Sequence, residues 1–212
     1  MSTVLAAPAQ AFAATLAQDG RPGNEDAFLI RPGPPLLVAL ADGAGQAEQA
    51  ARWVLRQLEK RVAGAAPEEL ERFATWSGWL RSLDAALVGG PQSTLVALVV
   101  LENRILGAAA GDSRAYLHDR EGELHLLTEG ADRQRLGSGA ATPHPIHRPF
   151  ARGETLVLLS DGAWTPLSMT RLRDTLAHAA LGPLADLPET LLRAAARTGR
   201  ADDMTAVAVR RV

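Results

Sequence analysis

The sequence predicts an α+β fold built as one compact domain over residues 1–212, and three observations lead there. Strand-like runs come first, then helical periodicity, then a second block of strand-like runs, then helices again; a parallel α/β chain would alternate the two throughout. The strand-like runs of the second block are joined by tight turn signals, as antiparallel neighbours are. A length of 212 residues with 47% hydrophobic content suffices for one substantial core and would be cramped for two.

The opening runs are residues 12–17, 27–30 and 36–41, separated by breaker-rich segments at 20–25 and 31–35, and they read as a meander. A helix follows, because Ala47, Ala50, Ala51, Val54, Leu55, Leu58 and Val62 recur at i, i+3, i+4. A second helix is predicted over 67–87, with Pro67 at its start and Glu68, Glu69 and Glu71 in the first turn, where acidic groups favour the helix dipole. Gly89, Gly90 and Pro91 end it. Runs at 93–101, 104–110, 114–118 and 123–127 form an antiparallel block, and 130–151, aperiodic and rich in glycine and proline, reads as a loop of functional length. A buried strand at 155–159, helices at 168–180 and 186–197 and a last strand at 204–209 complete the chain, with no internal repeat and no low-complexity linker.

Composition excludes several classes of function. A net charge of −2 argues against a nucleic-acid partner. Without cysteine there is no disulfide framework, thiolate nucleophile or iron–sulfur cluster, so any metal sits among oxygens or imidazoles. The first residues are apolar, but no Lys or Arg precedes Arg21, so a secretory signal is not expected. The apolar runs at 36–40 and 95–101 are far shorter than a membrane span. These features predict a cytoplasmic protein without a membrane partner.

The acidic residues carry the chemistry. Asp42 follows the apolar run 36–41 and precedes Gly43, Asp161 follows a similar run and precedes Gly162, and Asp202 immediately precedes the last strand. A carboxylate at the end of a buried strand needs a cation or several donors. One such Asp would suit a turn; three suggest convergence on a metal. Mg²⁺ and Mn²⁺ prefer all-oxygen shells, to which the Gly43 carbonyl could contribute. Two divalent ions carry four positive charges, and Asp42, Asp161, Asp202 and Glu25 supply four negative ones. Paired metals of this kind activate water for in-line displacement at phosphorus.

In serial order these residues resemble the protein phosphatase 2C family of Mg²⁺- or Mn²⁺-dependent serine/threonine phosphatases. The resemblance runs through Gly20-Arg21-Pro22-Gly23-Asn24-Glu25-Asp26, Ala41-Asp42-Gly43-Ala44-Gly45, Ser93-Thr94, Gly111-Asp112-Ser113-Arg114-Ala115-Tyr116, Leu127-Thr128, Ser160-Asp161-Gly162 and Asp202-Asp203-Met204-Thr205. It implies an α-β-β-α sandwich of two antiparallel sheets flanked by helix pairs. It also implies that Asp42 bridges two ions, with Gly43 on one and Asp161 and Asp202 on the other, while Glu25 and Asp26 act through waters. Arg21 would bind the phosphate through its planar fork, so that Arg21 and Asp42 carry catalysis. Asp112 reads equally as a turn residue and as a ligand of a third, weaker ion. Arg114 reads as structural and Glu48 as a surface charge.

The chain departs from the family where Ala44 stands in place of a leaving-group histidine, and after Leu127-Thr128, where Glu129-Gly130-Ala131 replaces an Asp-His pair and the flap is short. His144 and His147 lie in the aperiodic segment and read as ordinary loop histidines rather than catalysts. The expected activity is hydrolysis of phosphoserine and phosphothreonine in proteins, opposing a bacterial serine/threonine kinase. The alternatives are a catalytically weak module that binds a phosphorylated partner, and a small-molecule phosphatase.

Overall fold

The computed structural model describes residues 9–20, 23–44, 48–131, 134–179, 182–197 and 202–211. Arg21, Gly45, Gln46 and Ala47 lie outside the described residues. In chain order the elements are β1 (Ala9–Leu16), β2 (Asp26–Arg31), β3 (Leu36–Ala44), α1 (Glu48–Gly64), α2 (Pro67–Leu70), α3 (Phe73–Leu87), β4 (Gln92–Ser93), β5 (Leu95–Val100), β6 (Arg104–Ala110) and β7 (Arg114–His118). Then come β8 (Leu124–Leu126), β9 (His144–Pro149), β10 (Thr155–Leu159), α4 (Asp161–Trp164), α5 (Met169–Ala179), α6 (Leu187–Ala196) and β11 (Met204–Arg211).

The strands form two antiparallel sheets, one ordered β1-β11-β10-β7-β8 and the other β2-β3-β5-β6-β9, with β4 paired to β3. Side chains alternate across each central strand, so each sheet feeds two cores. On β3, Leu36, Val38 and Leu40 meet the facing sheet, while Leu37, Ala39 and Ala41 meet α1 and α3. On β10, Leu156 and Leu158 point between the sheets, and Val157 and Leu159 point to the layer of α5 and α6. Burial on both faces explains why these runs are apolar without interruption. The result is the α-β-β-α sandwich the family resemblance implied. Among the described residues no helix is long and apolar enough to cross a membrane.

The opening is not one meander, since β1 pairs with β11 while β2 and β3 lie in the other sheet, and the block read over 93–127 divides between the sheets, with β5 and β6 in one and β7 and β8 in the other. Two further elements differ from the sequence reading. The helix predicted over 67–87 breaks at Glu71 and Arg72 into α2 and α3. Two bonds hold the break: Glu69 reaches back to accept the Ala66 N–H at 2.8 Å, and the buried Trp76 indole donates to the Leu70 carbonyl at 2.8 Å. The segment read as a loop over 130–151 contains β9, which pairs with β6 from Arg104↔Pro149 to Ala109↔His144. Pro145 and Pro149 hide this strand from a propensity reading. An edge position, with β6 as its one partner, tolerates them.

Candidate metal centre

The acidic residues meet at one end of the sandwich because β3 and β10 end there and β11 begins there. Asp42, near the end of β3, stands opposite Asp26 of β2 in the strand register. Its N–H donates to Thr94 Oγ1 at 3.0 Å, and its carbonyl accepts the Thr94 N–H at 2.8 Å. Thr94 Oγ1 also lies 2.7 Å from Ser113 Oγ. Gly111 turns the chain from β6 in one sheet to β7 in the other with φ of 91°, and a Cβ there would come within 2.8 Å of Thr94 Cγ2. Only glycine lets this connection press so close. Asp112, the next residue, is thereby carried to Asp42.

Asp161 is the first residue of α4. Ser160 before it ties three elements, donating its hydroxyl to Asp26 Oδ2 at 2.7 Å while its Oγ accepts the Thr205 N–H at 2.9 Å. Carboxylate oxygens of Asp42, Asp112 and Asp161 all lie within 4.8 Å of one another. Such a group of negative charges is costly in a partly buried place, and the titration behaviour shows it. Burial first, then the neighbouring Asp26 and Asp161, push the Asp42 carboxyl up to about 9. Burial likewise raises Asp26 to about 7, against the opposing hydrogen bonds of Ser160 and Thr205. Asp161 is raised by burial, then by Asp112 and Asp202.

The donor set fits a hard divalent cation. It is all oxygen, it carries excess negative charge, and Asp42 Oδ2 is buried with no hydrogen-bond partner among the described residues. Of the other residues singled out in the sequence, Asp202 is exposed and stands beside this cluster rather than in it. Its carboxylate accepts the N–H of Asp203 at 2.9 Å, and its charge acts on Asp161. Gly43 pairs in register with Ser93, and its N–H donates to the Glu25 carbonyl at 3.1 Å, which brings the Glu25 loop to the same end. Arg114 lies flat on Trp164, 3.3 Å from the ring centroid, and the Trp164 indole donates to the Asp112 carbonyl at 3.0 Å. His147 is exposed and borders a recess with Leu70 and Trp76, away from the aspartates. His144 lies near Gly130, which with Asp112, Arg114, Asp161 and Trp164 lines a cleft of about 420 Å³.

Three residues at the site escaped the sequence reading. Asp203 is buried and accepts the N–H groups of Gln18 and Glu25, each at 2.6 Å, fastening the loop that carries Glu25. Arg135 points its guanidinium at the acidic cluster, 3.4 Å from Asp112 and 3.7 Å from Asp42 and from Asp161. Asp84, buried on α3, accepts the N–H groups of Gly137, Gly139 and Ala141 and so anchors the segment after Arg135. The motif at 202–205 includes Asp203 without a role for it, and nothing in the sequence marks Arg135 or Asp84.

No protein-family model and no curated protein matches the chain. Solved structures do. The catalytic domain of the serine/threonine protein phosphatase PstP in complex with two manganese ions is 26% identical, with a TM-score of 0.78 over 95% of this chain and 97% of that one. The Mycobacterium tuberculosis phosphatase PstP/Ppp is 25% identical, with a TM-score of 0.77 over 95% and 98%. A serine/threonine phosphatase of S. agalactiae is 20% identical, with a TM-score of 0.82 over 95% and 99%. A mixed sandwich, an oxygen-only acidic cluster at its end and likeness over nearly the whole chain converge: the fold is that of the bacterial protein phosphatase 2C-type serine/threonine phosphatases.

Proposed function

We propose that residues 1–212 act as one catalytic domain, a metal-dependent phosphatase that hydrolyses phosphoserine and phosphothreonine in cytoplasmic proteins, opposing a serine/threonine kinase. The observation that carries this reading is the cluster of Asp42, Asp112 and Asp161, in which the buried Asp42 Oδ2 has no hydrogen bond among the described residues, in a fold shared with a phosphatase solved with two manganese ions. Asp42, the Gly43 carbonyl, Asp161 and Asp202 would hold two Mn²⁺ or Mg²⁺ ions, with Glu25 and Asp26 behind them. When bound, such ions supply an activated water and stabilise charge on the oxygens around phosphorus. Arg21 is assigned the phosphate.

The chain's own groups prepare the site. Thr94 and Ser160 fix the backbones of Asp42 and Thr205, and Asp203 holds the Glu25 loop, so the ligands are oriented before any ion arrives. The cleft beside Asp112 and Asp161 is lined by polar groups such as Thr128 and Glu129 together with Arg114 over Trp164, which suits an extended peptide better than a small metabolite. A weakly turning-over module that binds a phosphorylated partner is the second reading, favoured by the Arg135 guanidinium among the carboxylates. The test is Mn²⁺-dependent hydrolysis of a phosphothreonine peptide and of an aryl phosphate by the unaltered protein and by Asp42→Asn. The first reading expects peptide turnover that the substitution reduces by about a hundredfold or more. Peptide binding without turnover selects the second, and equal rates for the two proteins refute the catalytic assignment.

A further inference from the structure

Arg135 is the one residue at the site whose role neither the fold nor the ligand set explains. Its guanidinium is hydrogen-bonded to Asp112 Oδ1 at 3.4 Å and stands 3.7 Å from a carboxylate oxygen of each of Asp42 and Asp161. It is half-buried, with 23% of its side chain exposed.

The backbone that carries it is not a free loop. Leu136 is fully buried and exchanges both backbone hydrogen bonds with Ser93, at 3.0 and 2.8 Å, next to the residue that holds Asp42. On the other side, the Asp84 carboxylate accepts the N–H groups of Gly137, Gly139 and Ala141. Arg135 is therefore rooted beside the cluster by a buried bridge and a buried staple. Conformational entropy lost on placing its side chain is reduced accordingly.

We propose that Arg135 is a tethered cation of this site, paired with Asp112 in place of a third divalent ion and leaving Asp42, Gly43, Asp161 and Asp202 to the other two. This rests on the metal-dependent reading above. The asymmetry of the contacts supports it: the one hydrogen bond goes to Asp112, while the approaches to Asp42 Oδ2 and Asp161 Oδ2 are ion pairs at 3.7 Å, too long for hydrogen bonds. A fixed positive charge within about 4 Å of these oxygens repels a further cation strongly, because the partly buried position weakens solvent screening. Arginine suits the part, since it cannot be deprotonated and its planar fork meets carboxylates at several donors.

The experiment titrates the full chain with Mn²⁺, by calorimetry and by loss of the free-ion resonance signal, for the unaltered protein, Arg135→Gln and Arg135→Lys. The expected result is two ions per chain for the unaltered protein and for Arg135→Lys, and one additional ion for Arg135→Gln. Thermal unfolding in chelator and in Mn²⁺ separates this from a packing role. Arg135→Gln should lose stability in chelator and gain a larger Mn²⁺-induced shift than the unaltered protein, whereas loss of packing alone lowers both conditions equally. If Arg135→Gln does not fold in chelator, the same comparison is made for protein refolded in Mn²⁺, where the extra ion must still be counted. A third ion on the unaltered protein, or identical isotherms for all three proteins, overturns the proposal. Absence of Mn²⁺ binding by the unaltered protein overturns the metal-dependent reading itself.

Discussion

Gly162 offers the sharpest test of how the fold builds the site. It lies in α4 immediately after Asp161, where an Ala for Gly exchange would ordinarily stabilise a helix by about 1 kcal/mol. Here a Cβ would stand 2.1 Å from the Asp203 carbonyl oxygen, 3.0 Å from its carbonyl carbon and 3.2 Å from Asp202 Cβ. Carbon–oxygen contacts rarely close below about 3.3 Å, so α4 and the start of β11 must part by about 1.2 Å. Both offending atoms are backbone, and neither can rotate away. Overpacking of this kind costs about 1–3 kcal/mol, and the backbone location argues for the upper end, so sterics outweigh propensity. The same displacement separates Asp161 from Asp202 and disturbs Asp203. Gly162→Ala should therefore lower the unfolding free energy of the metal-free protein, measured by urea denaturation, by a net of about 2 kcal/mol and weaken Mn²⁺ binding by about tenfold or more. A variant as stable as the original, with an unchanged Mn²⁺ isotherm, would show that β11 does not press on α4 and would refute the reasoning.

Asp203→Asn tests the clamp on the Glu25 loop. A carboxylate accepts both N–H groups, whereas an amide accepts one and turns its own NH₂ toward the other, so about 2–3 kcal/mol of stability should be lost in urea unfolding; no loss counts against the clamp. The buried carboxyls set a pH dependence of unusual sign. Asp42 and Asp26 titrate near 9 and near 7 in the folded protein, both raised chiefly by burial, against about 3.9 when unfolded. The folded state then binds more protons than the unfolded one between those limits, so stability must fall as pH rises from about 4 toward 9. Melts in chelator from pH 5 to 9 should show that decline and Mn²⁺ should flatten it, while rising stability over that range would contradict the burial argument.

Much of this was legible in the sequence, for physical reasons that also mark where reading stops. Asp42 and Asp161 stand out because each ends a run apolar on both faces, and such runs exist only where a sheet is covered twice. The turn and ligand readings of Asp112 do not compete, since the glycine that makes the turn also brings the carboxylate to Asp42. Arg135 was illegible because its segment has no period: its position depends on a two-bond bridge to Ser93 and on a staple from a helix 53 residues away. Asp84 looked like one more polar residue of α3, and nothing in its neighbours announces that it will be buried.

The same contrast explains how the fold can carry so much like charge at one end. Central strands supply position at no electrostatic cost, because their ladder bonds are complete and their side chains are apolar. The carboxylates are added only at strand ends and in the turns beside them, where Thr94, Ser160 and Thr205 offer hydroxyls. Repulsion among Asp26, Asp42, Asp112 and Asp161 therefore acts on a rim that three separate cores hold in place, rather than on any one core. A rim so constrained cannot relax by spreading. It is relieved by protons, by the Arg135 guanidinium or by divalent ions, and that competition makes the cluster responsive to metal rather than merely acidic.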